Sequence, residues 1–444
     1  MSASSFHIRR TGAWLNGHRS PTLRTASAYR AGTSALDQPA PWRVPASTLA
    51  AIAVAGAMGT SAIVFSEPAV ADILMAAVIV GLPLLGVVRF GHASILNLML
   101  WLVLVACGIA ACSVSTTMNT AVIHQVVTLY LVLGAFVLAG YIAADAEPRF
   151  HLVMRFYTLA CLVAAIAGLV GYFGVLLGAF ELFTNHGRAR GTFKDPNVLG
   201  AALAPAIVYT VWIVLRHPLR QAALAAAVLF PLMLALLLSF SRGAWISVAF
   251  SLLVAIWLSL VTTRRKGDHV RLVAVGTLGT AVVAVALLAT LRHESIGNLL
   301  SERASFDQSY DSGPEGRFGG QSKAINLILE NPFGIGTHTF RDSYHEEEPH
   351  NVYLSQFLNA GWLGGTLYIV SVLGTLAAGL YAARRRTALQ GPLIVATAAF
   401  AGVALEGLVI DTDHWRHFFL QMALIWGLVD AIPSTPSPAR RRHD

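Results

Sequence analysis

Four arginines stand beside glycine in segments that separate apolar runs. Arg188 and Arg190 lie in HGRARGTFKDPN (186–197), Arg242 in SFSRGAW (239–245) and Arg317 in EGRFGG (315–320). A guanidinium is permanently charged, and its planar fork pairs two oxygens of a phosphate at once. Glycine beside it lets the backbone approach a ligand closely. Several such groups at one face of a helical bundle would suit a diphosphate held at headgroup depth. For any one arginine, anchoring to lipid headgroups is the competing reading. Arg242 differs, because its turn is too short to solvate it and a charge between two apolar spans is a functional-site hypothesis by default. Lys194-Asp195-Pro196-Asn197 reads both ways. Asp195 and Asn197 are N-cap types and Pro196 suits a first helical turn, while a capped helix start also attracts anions.

The second constellation is EEEPHN at 346–351. A neutral imidazole at His350 can take a proton from a hydroxyl. A helix start disfavours the protonated ring; Glu346, Glu347 and Glu348 would favour it, or one of them would orient the ring. Asn351 is suited to cap the apolar run that follows, and His338 and His345 are rival bases in the same loop. These histidines and glutamates could surround a divalent ion, but no HExxH or Asp-x-Asp spacing supports one, and consecutive glutamates are more often a solvated run. No metal or cofactor is expected. There is no P-loop, no GxSxG and no nucleotide fingerprint.

The elements that must position these groups are apolar. The 444 residues are 55% hydrophobic and 12% charged, against about 25% charged in a soluble domain. The spacing predicts an all-α polytopic membrane protein with about twelve transmembrane helices, near 46–65, 69–88, 94–113, 122–143, 156–180, 197–215, 221–239, 243–261, 272–291, 353–381, 392–410 and 418–432. The runs are continuous rather than alternating, which argues against a β-barrel. With the N-terminus inside, the inner segments 1–45, 89–93, 144–155, 216–220, 262–271, 382–391 and 433–444 hold 21 of the 31 Lys and Arg, as positive-inside requires. The net charge of +8 is then topogenic and does not imply nucleic acid. Residues 1–45 read as a disordered cytoplasmic tail, 46–432 as the transmembrane domain and 433–444 as a second tail. Cys107, Cys112 and Cys161 all fall in spans, so no disulfide framework is expected.

All the candidate residues fall on the outside face. The loop 292–352 is long enough to be functional; within it SKAINLILE (322–330) reads as an amphipathic helix stopped by Asn331-Pro332, and FGIGTHTF as a glycine turn. DTDHWRH (411–417) joins the same face, either lining an acceptor entrance or capping the last span. Asp72, His124 and Glu406 are polar groups in or near spans. A transporter would gather such groups at the midplane in related halves, and these do not form that pattern.

The motifs resemble the O-antigen ligase and Wzy polymerase superfamily. His350-Asn351, nine residues, then Gly361-Trp362-Leu363-Gly364 resembles its histidine motif. GRARGTFKDPNVLG resembles its Arg-Gly-Thr-Phe segment, SFSRGAW its Ser-Arg-Gly turn, and EGRFGG with ENPFGIG its large periplasmic loop. The resemblance covers 186–375 well. It implies a GT-C-type glycosyltransferase of the bacterial inner membrane, with both termini cytoplasmic and a periplasmic site. Such an enzyme moves a glycan from a polyprenyl diphosphate carrier to lipid A-core, without metal and with inversion. A Wzy-type polymerase would use a second lipid-linked glycan as acceptor, and a relative would use protein. On this reading His350, Arg242 and Arg190 are catalytic. Arg188, Lys194, Arg317, Asn351 and His338 would hold the diphosphate or the acceptor.

The topology is directly testable. Alkaline phosphatase fused after residue 345 is expected to be active, and inactive after residue 386; the reverse pattern would invert the assignment.

Overall fold

The computed structural model describes residues 44–66, 68–263 and 316–433, with 267, 270, 273, 274, 276 and 313. The expected tail up to residue 43 and that from 434, the RRK cluster (264–266), nearly all of the span expected at 272–291 and the loop start (292–312) lie outside the described residues. The chain divides after Val44, and Pro45 onward is described below.

In hydrocarbon only a helix satisfies its own backbone, and the apolar runs are helical. In order they are α1 (Ala46–Gly59), α2 (Val70–Leu84), α3 (His92–Ala111), α4 (Met118–Ala144), α5 (Ala146–Tyr172), α6 (Ala179–Phe183), α7 (Pro196–Arg216), α8 (Leu219–Leu238), α9 (Arg242–Thr262), α10 (Arg317–Glu330), α11 (Thr339–Ser343), α12 (Val352–Ala383), α13 (Gln390–Glu406) and α14 (Arg416–Ala431). A two-residue hairpin, β1 (Thr184–Asn185) with β2 (Arg188–Ala189), follows α6.

Among the described residues seven helices are long and apolar enough to cross a membrane: α3 with its 3-10 extension to Val114, α4, α5, α7, α8, α9 and α12. The expected spans at 46–65, 69–88, 392–410 and 418–432 are helices of 14, 15, 17 and 16 residues, short of the roughly 20 for a straight crossing. The expected count of about twelve rests on these four and on 272–291. The fifth span needs correction. It is expected at 156–180, but the helix runs from Ala146 to Tyr172. Arg149 argued for a loop there, yet its guanidinium donates to the carbonyls of Val87 (2.7 Å) and Tyr141 (2.6 Å) and lies over the Tyr141 ring. The chain instead turns after the helix, where Gly174 and Gly178 take positive φ.

Small residues bring the helices together. Gly402 lies against Ser247 and Ser251, Gly379 against Thr397, and Gly427 against the Ala139 carbonyl. Polar bonds cross the same interfaces: Trp101 Nε1 donates to Ser371 Oγ (2.8 Å), which donates to Asn97 Oδ1 (2.7 Å). At the end expected inside, the Asp430 carboxylate accepts from the N–H groups of Ala93 and Ser94 at the start of α3 (3.0 Å each), where the helix dipole favours negative charge. Arg416 is bidentate to Asp72 (2.7 and 2.6 Å), joining α14 to α2. Cys107, Cys112 and Cys161 are unbridged.

Helix α12 is broken once. Gly361 has φ 70° and ψ −174°. Within a regular helix the Trp362 N–H would bond the Leu358 carbonyl. Here Trp362 N donates to Pro332 O (2.9 Å), and Leu358 O accepts from Ile335 N (2.8 Å) and Gly336 N (3.2 Å). The two groups freed by the kink are therefore both taken by the 332–336 turn, where Gly334 and Gly336 hold φ 82°. Ala324, Ile335, Phe340 and Leu358 form a small buried core beneath it. The expected amphipathic helix is α10, it stops at Asn331-Pro332 as read, and the turn that follows is docked on α12.

A Cβ at Gly361 would lie 2.6 Å from the Pro332 carbonyl oxygen. Gly361→Ala is expected to cost roughly 1–3 kcal/mol. It should also expose 331–345 to protease in detergent; wild-type resistance would contradict the docking.

Candidate active site

The docked turn delivers its histidines to a fixed place. The Thr337 carbonyl accepts from Ser115 Oγ (2.9 Å), and Gln125 Nε2 donates to Thr337 Oγ1 (3.2 Å). The loop is thereby tied to the start of α4. His338 follows with φ 66°, its Nδ1 3.0 Å from Glu348 Oε1. His345 is buried and stacked on Phe340 at 5.7 Å, which gives this rival base a packing role.

At His350-Asn351 the capping weighed from sequence falls on Asn351. Asn351 Oδ1 accepts from the N–H groups of Tyr353 (3.1 Å) and Leu354 (3.3 Å), capping α12. His350 precedes the cap with φ 49° and takes no part in it. Its Nε2 is 2.9 Å from Glu347 Oε2, and its Nδ1 is 4.0 Å from Asp411 Oδ2. Asp411 accepts from Ser355 Oγ (2.6 Å), one turn into α12. Two of the three glutamates thus each serve a histidine. Burial, then the charge of Asp413, pushes the Asp411 carboxyl up to about 7.

Arg242 is the first residue of α9, whose cap is Ser241. A Cβ on the neighbouring Gly243 would lie 3.3 Å from Glu406 Oε1 at the end of α13. The next residue, Gly407, accepts from the Val352 N–H (2.9 Å). The Arg242 turn and the His350-Asn351 pair are therefore held against the same helix end. Arg188 donates through Nε to Ser239 O (2.8 Å) and through Nη2 to Asn197 Oδ1 (2.7 Å). It clamps the Arg242 turn to the start of α7, where Asp195 Oδ1 caps by accepting from Asn197 N (2.7 Å). Arg190 bonds the Leu182 carbonyl in its own loop (3.1 Å through Nη2). Arg317 opens α10. Lys194 lines a cavity of about 310 Å³ with Asp72, Tyr130, His414 and Arg416.

The sequence reading missed how DTDHWRH is used. Asp413 lies 3.4 Å from His124 Nε2 and accepts from Gln356 Nε2 at 3.0 Å. His414 stacks on His124 with ring centroids 3.8 Å apart, and His338 stands edge-on to His124 at 5.4 Å. Burial works against the Asp413 charge, yet the neighbouring imidazoles of His124 and His414 hold its carboxyl below the usual range. Burial pushes His414 down to about 4. A polar heptad between two apolar spans was the available signal; its pairing with His124 was not readable.

Fold and site define a polytopic helical membrane protein with histidines, carboxylates and arginines gathered at one end. Residues 225–369 match the family model Wzy_C, described as O-Antigen ligase, and the resemblance to the O-antigen ligase and Wzy superfamily is thereby shown over that segment. The match contains Arg242, Arg317, His338, His350 and Asn351; Arg188, Arg190, Lys194 and 411–417 lie outside it. No curated protein matches the chain.

The folded-state value of Asp411, about 7, lies above its ordinary 3.8. The folded protein then holds a proton that the unfolded chain releases, so Asp411 opposes folding increasingly as pH rises from about 4 to about 7. Asp411→Asn mimics the protonated side chain. Its melting temperature should match wild type near pH 4 and exceed it at pH 8; a difference that does not change with pH would contradict the raised carboxyl.

Proposed function

We propose that the chain is an O-antigen ligase-like glycosyltransferase. It moves a glycan from a polyprenyl diphosphate to a hydroxyl of lipid A-core on the periplasmic face of the inner membrane. One observation carries the reading: His350 is relieved of capping by Asn351, stands between Glu347 and Asp411, and shares a helix end with the Arg242 turn. An imidazole whose Nδ1 faces an acidic side chain 4.0 Å away and whose Nε2 is reachable is placed to serve as a general base. Glu347 is largely exposed, so an acceptor hydroxyl can take its place at Nε2.

The chemistry follows from the leaving group. A diphosphate departs readily if its growing charge is met, so the site needs positive groups there and a base for the incoming hydroxyl. His350 takes the hydroxyl proton as oxygen attacks the anomeric carbon. Arg242 and Arg190 meet the diphosphate oxygens, with Arg317 and Lys194 beside them, while His338 orients the acceptor. Arg188 acts in this scheme through the Arg242 turn that it clamps. The bond to carbon forms on the face opposite the departing diphosphate, which inverts configuration, and no ion takes part in the transfer. The cavity beside Lys194 and Arg416 offers apolar wall next to positive charge, which suits a phosphate carrying a lipid. A Wzy-type polymerase would use the same donor site with a second lipid-linked glycan as acceptor.

The test is reconstitution of the purified protein with a polyprenyl-diphosphate glycan and either lipid A-core or the lipid-linked glycan alone, with no added metal. Wild type is expected to consume lipid A-core. His350→Ala should lose about 10²–10⁴-fold in rate and Arg242→Ala about 10²–10³-fold. Consumption of the lipid-linked glycan instead identifies a polymerase. Undiminished transfer by both variants, or retention of donor configuration, would sink the mechanism.

A further inference from the structure

We propose that His124, Asp413 and His414 form a binding site for a divalent first-row transition metal, zinc in type, that ties α4 to the loop between α13 and α14. The three residues come from parts of the chain nearly 300 positions apart, and each offers a ligand atom within 4.8 Å of the others. Two imidazoles and one carboxylate are a donor set that zinc takes with a fourth position open.

The geometry favours an ion over a simple ion pair. His124 Nε2 and Asp413 Oδ2 are 3.4 Å apart, long for an N–H···O bond. Bond lengths of about 2.0–2.1 Å place adjacent ligand atoms of a tetrahedron about 3.3 Å apart, close to this separation. The stacked rings of His124 and His414 would repel if both were protonated, whereas one cation accepts a lone pair from each. The surrounding groups also fix the ligand atoms. Thr128 has a single hydroxyl proton, which it donates to the His124 carbonyl (3.0 Å). Toward His414 Nε2, 2.9 Å away, it can then only accept. In that arrangement the proton of His414 sits on Nε2, and Nδ1 is left with the lone pair for a metal. The amide of Gln356 holds the carboxylate of Asp413. Such outer contacts are what orient the ligands of a metal site. The bound ion would fasten the loop carrying Asp411, and the proton transfer assigned to His350 does not pass through it.

The experiment needs no substrate, so its outcome is separate from that of the transfer assay. Full-length protein without a histidine tag is stripped with chelator in detergent and titrated with Zn²⁺ and with Co²⁺. One zinc per chain is expected, with a raised melting temperature and a visible Co²⁺ absorption that zinc abolishes. His124→Gln and His414→Gln should each weaken binding at least about tenfold. Thr128→Val keeps all three ligands and should weaken it about tenfold as well, which covers the case in which a histidine variant fails to fold. His92→Gln, outside the cluster, should bind as wild type does. Uptake below about half an equivalent by wild type, or equal affinity in wild type, Thr128→Val and the histidine variants, would overturn the site.

Discussion

A single exchange of backbone hydrogen bonds organises the active end of this protein. Gly361 breaks α12, and the two groups that lose each other, Trp362 N–H and Leu358 C=O, are satisfied by Pro332, Ile335 and Gly336. In an apolar setting neither could be left without a partner at small cost. The kink and the loop therefore require one another. Everything from His338 to His350 hangs between that contact and the Asn351 cap, so the histidines are placed by helix geometry rather than by a free loop. This supplies a physical reason for the spacing of nine residues between Asn351 and Gly361: the cap fixes one end of the segment and the kink the other.

The rest of the site is built by similar economies. Arg188 secures two caps at once, reaching the Ser239 carbonyl before Ser241 and the Asn197 side chain after Asp195. Glu406 and Gly407 end α13 where α9 and α12 begin. Two helix starts thus converge on one helix end, with the start of α7 clamped to one of them through Arg188, and helix starts present N–H groups and positive dipoles. That is a favourable setting for an anionic group even before the arginine side chains are counted. The carboxylates of Glu347, Glu348, Asp411 and Asp413 face histidines.

Much of this was legible in the residues. The caps at Asp195 and Asn351, α10, its stop at Asn331-Pro332 and the glycine turn follow from local rules, because each depends on groups within a few residues. Span five was misplaced because a half-buried arginine can be satisfied by carbonyls, whereas hydropathy counts it only as charge. The three glutamates could not be divided from sequence, since two of them face different histidines. The cluster of His124, Asp413 and His414 was illegible for a different reason: nothing local links position 124 to 413, and only the packing of α4 beside α14 brings them together.

Sequence by itself determined the class of protein, because a bilayer admits few solutions and long continuous apolar runs select among them. It also determined which residue types could meet a diphosphate and a hydroxyl, since that chemistry belongs to side chains. Tertiary structure decided which of those side chains work together. It separated the capping role of Asn351 from the ring of His350, which meets Glu347 instead, turned Arg188 into a clamp, and gave His350 the carboxyl of Asp411 as a neighbour. Pairings across hundreds of residues depend on how helices cross, and that is set by summed packing rather than by any local pattern.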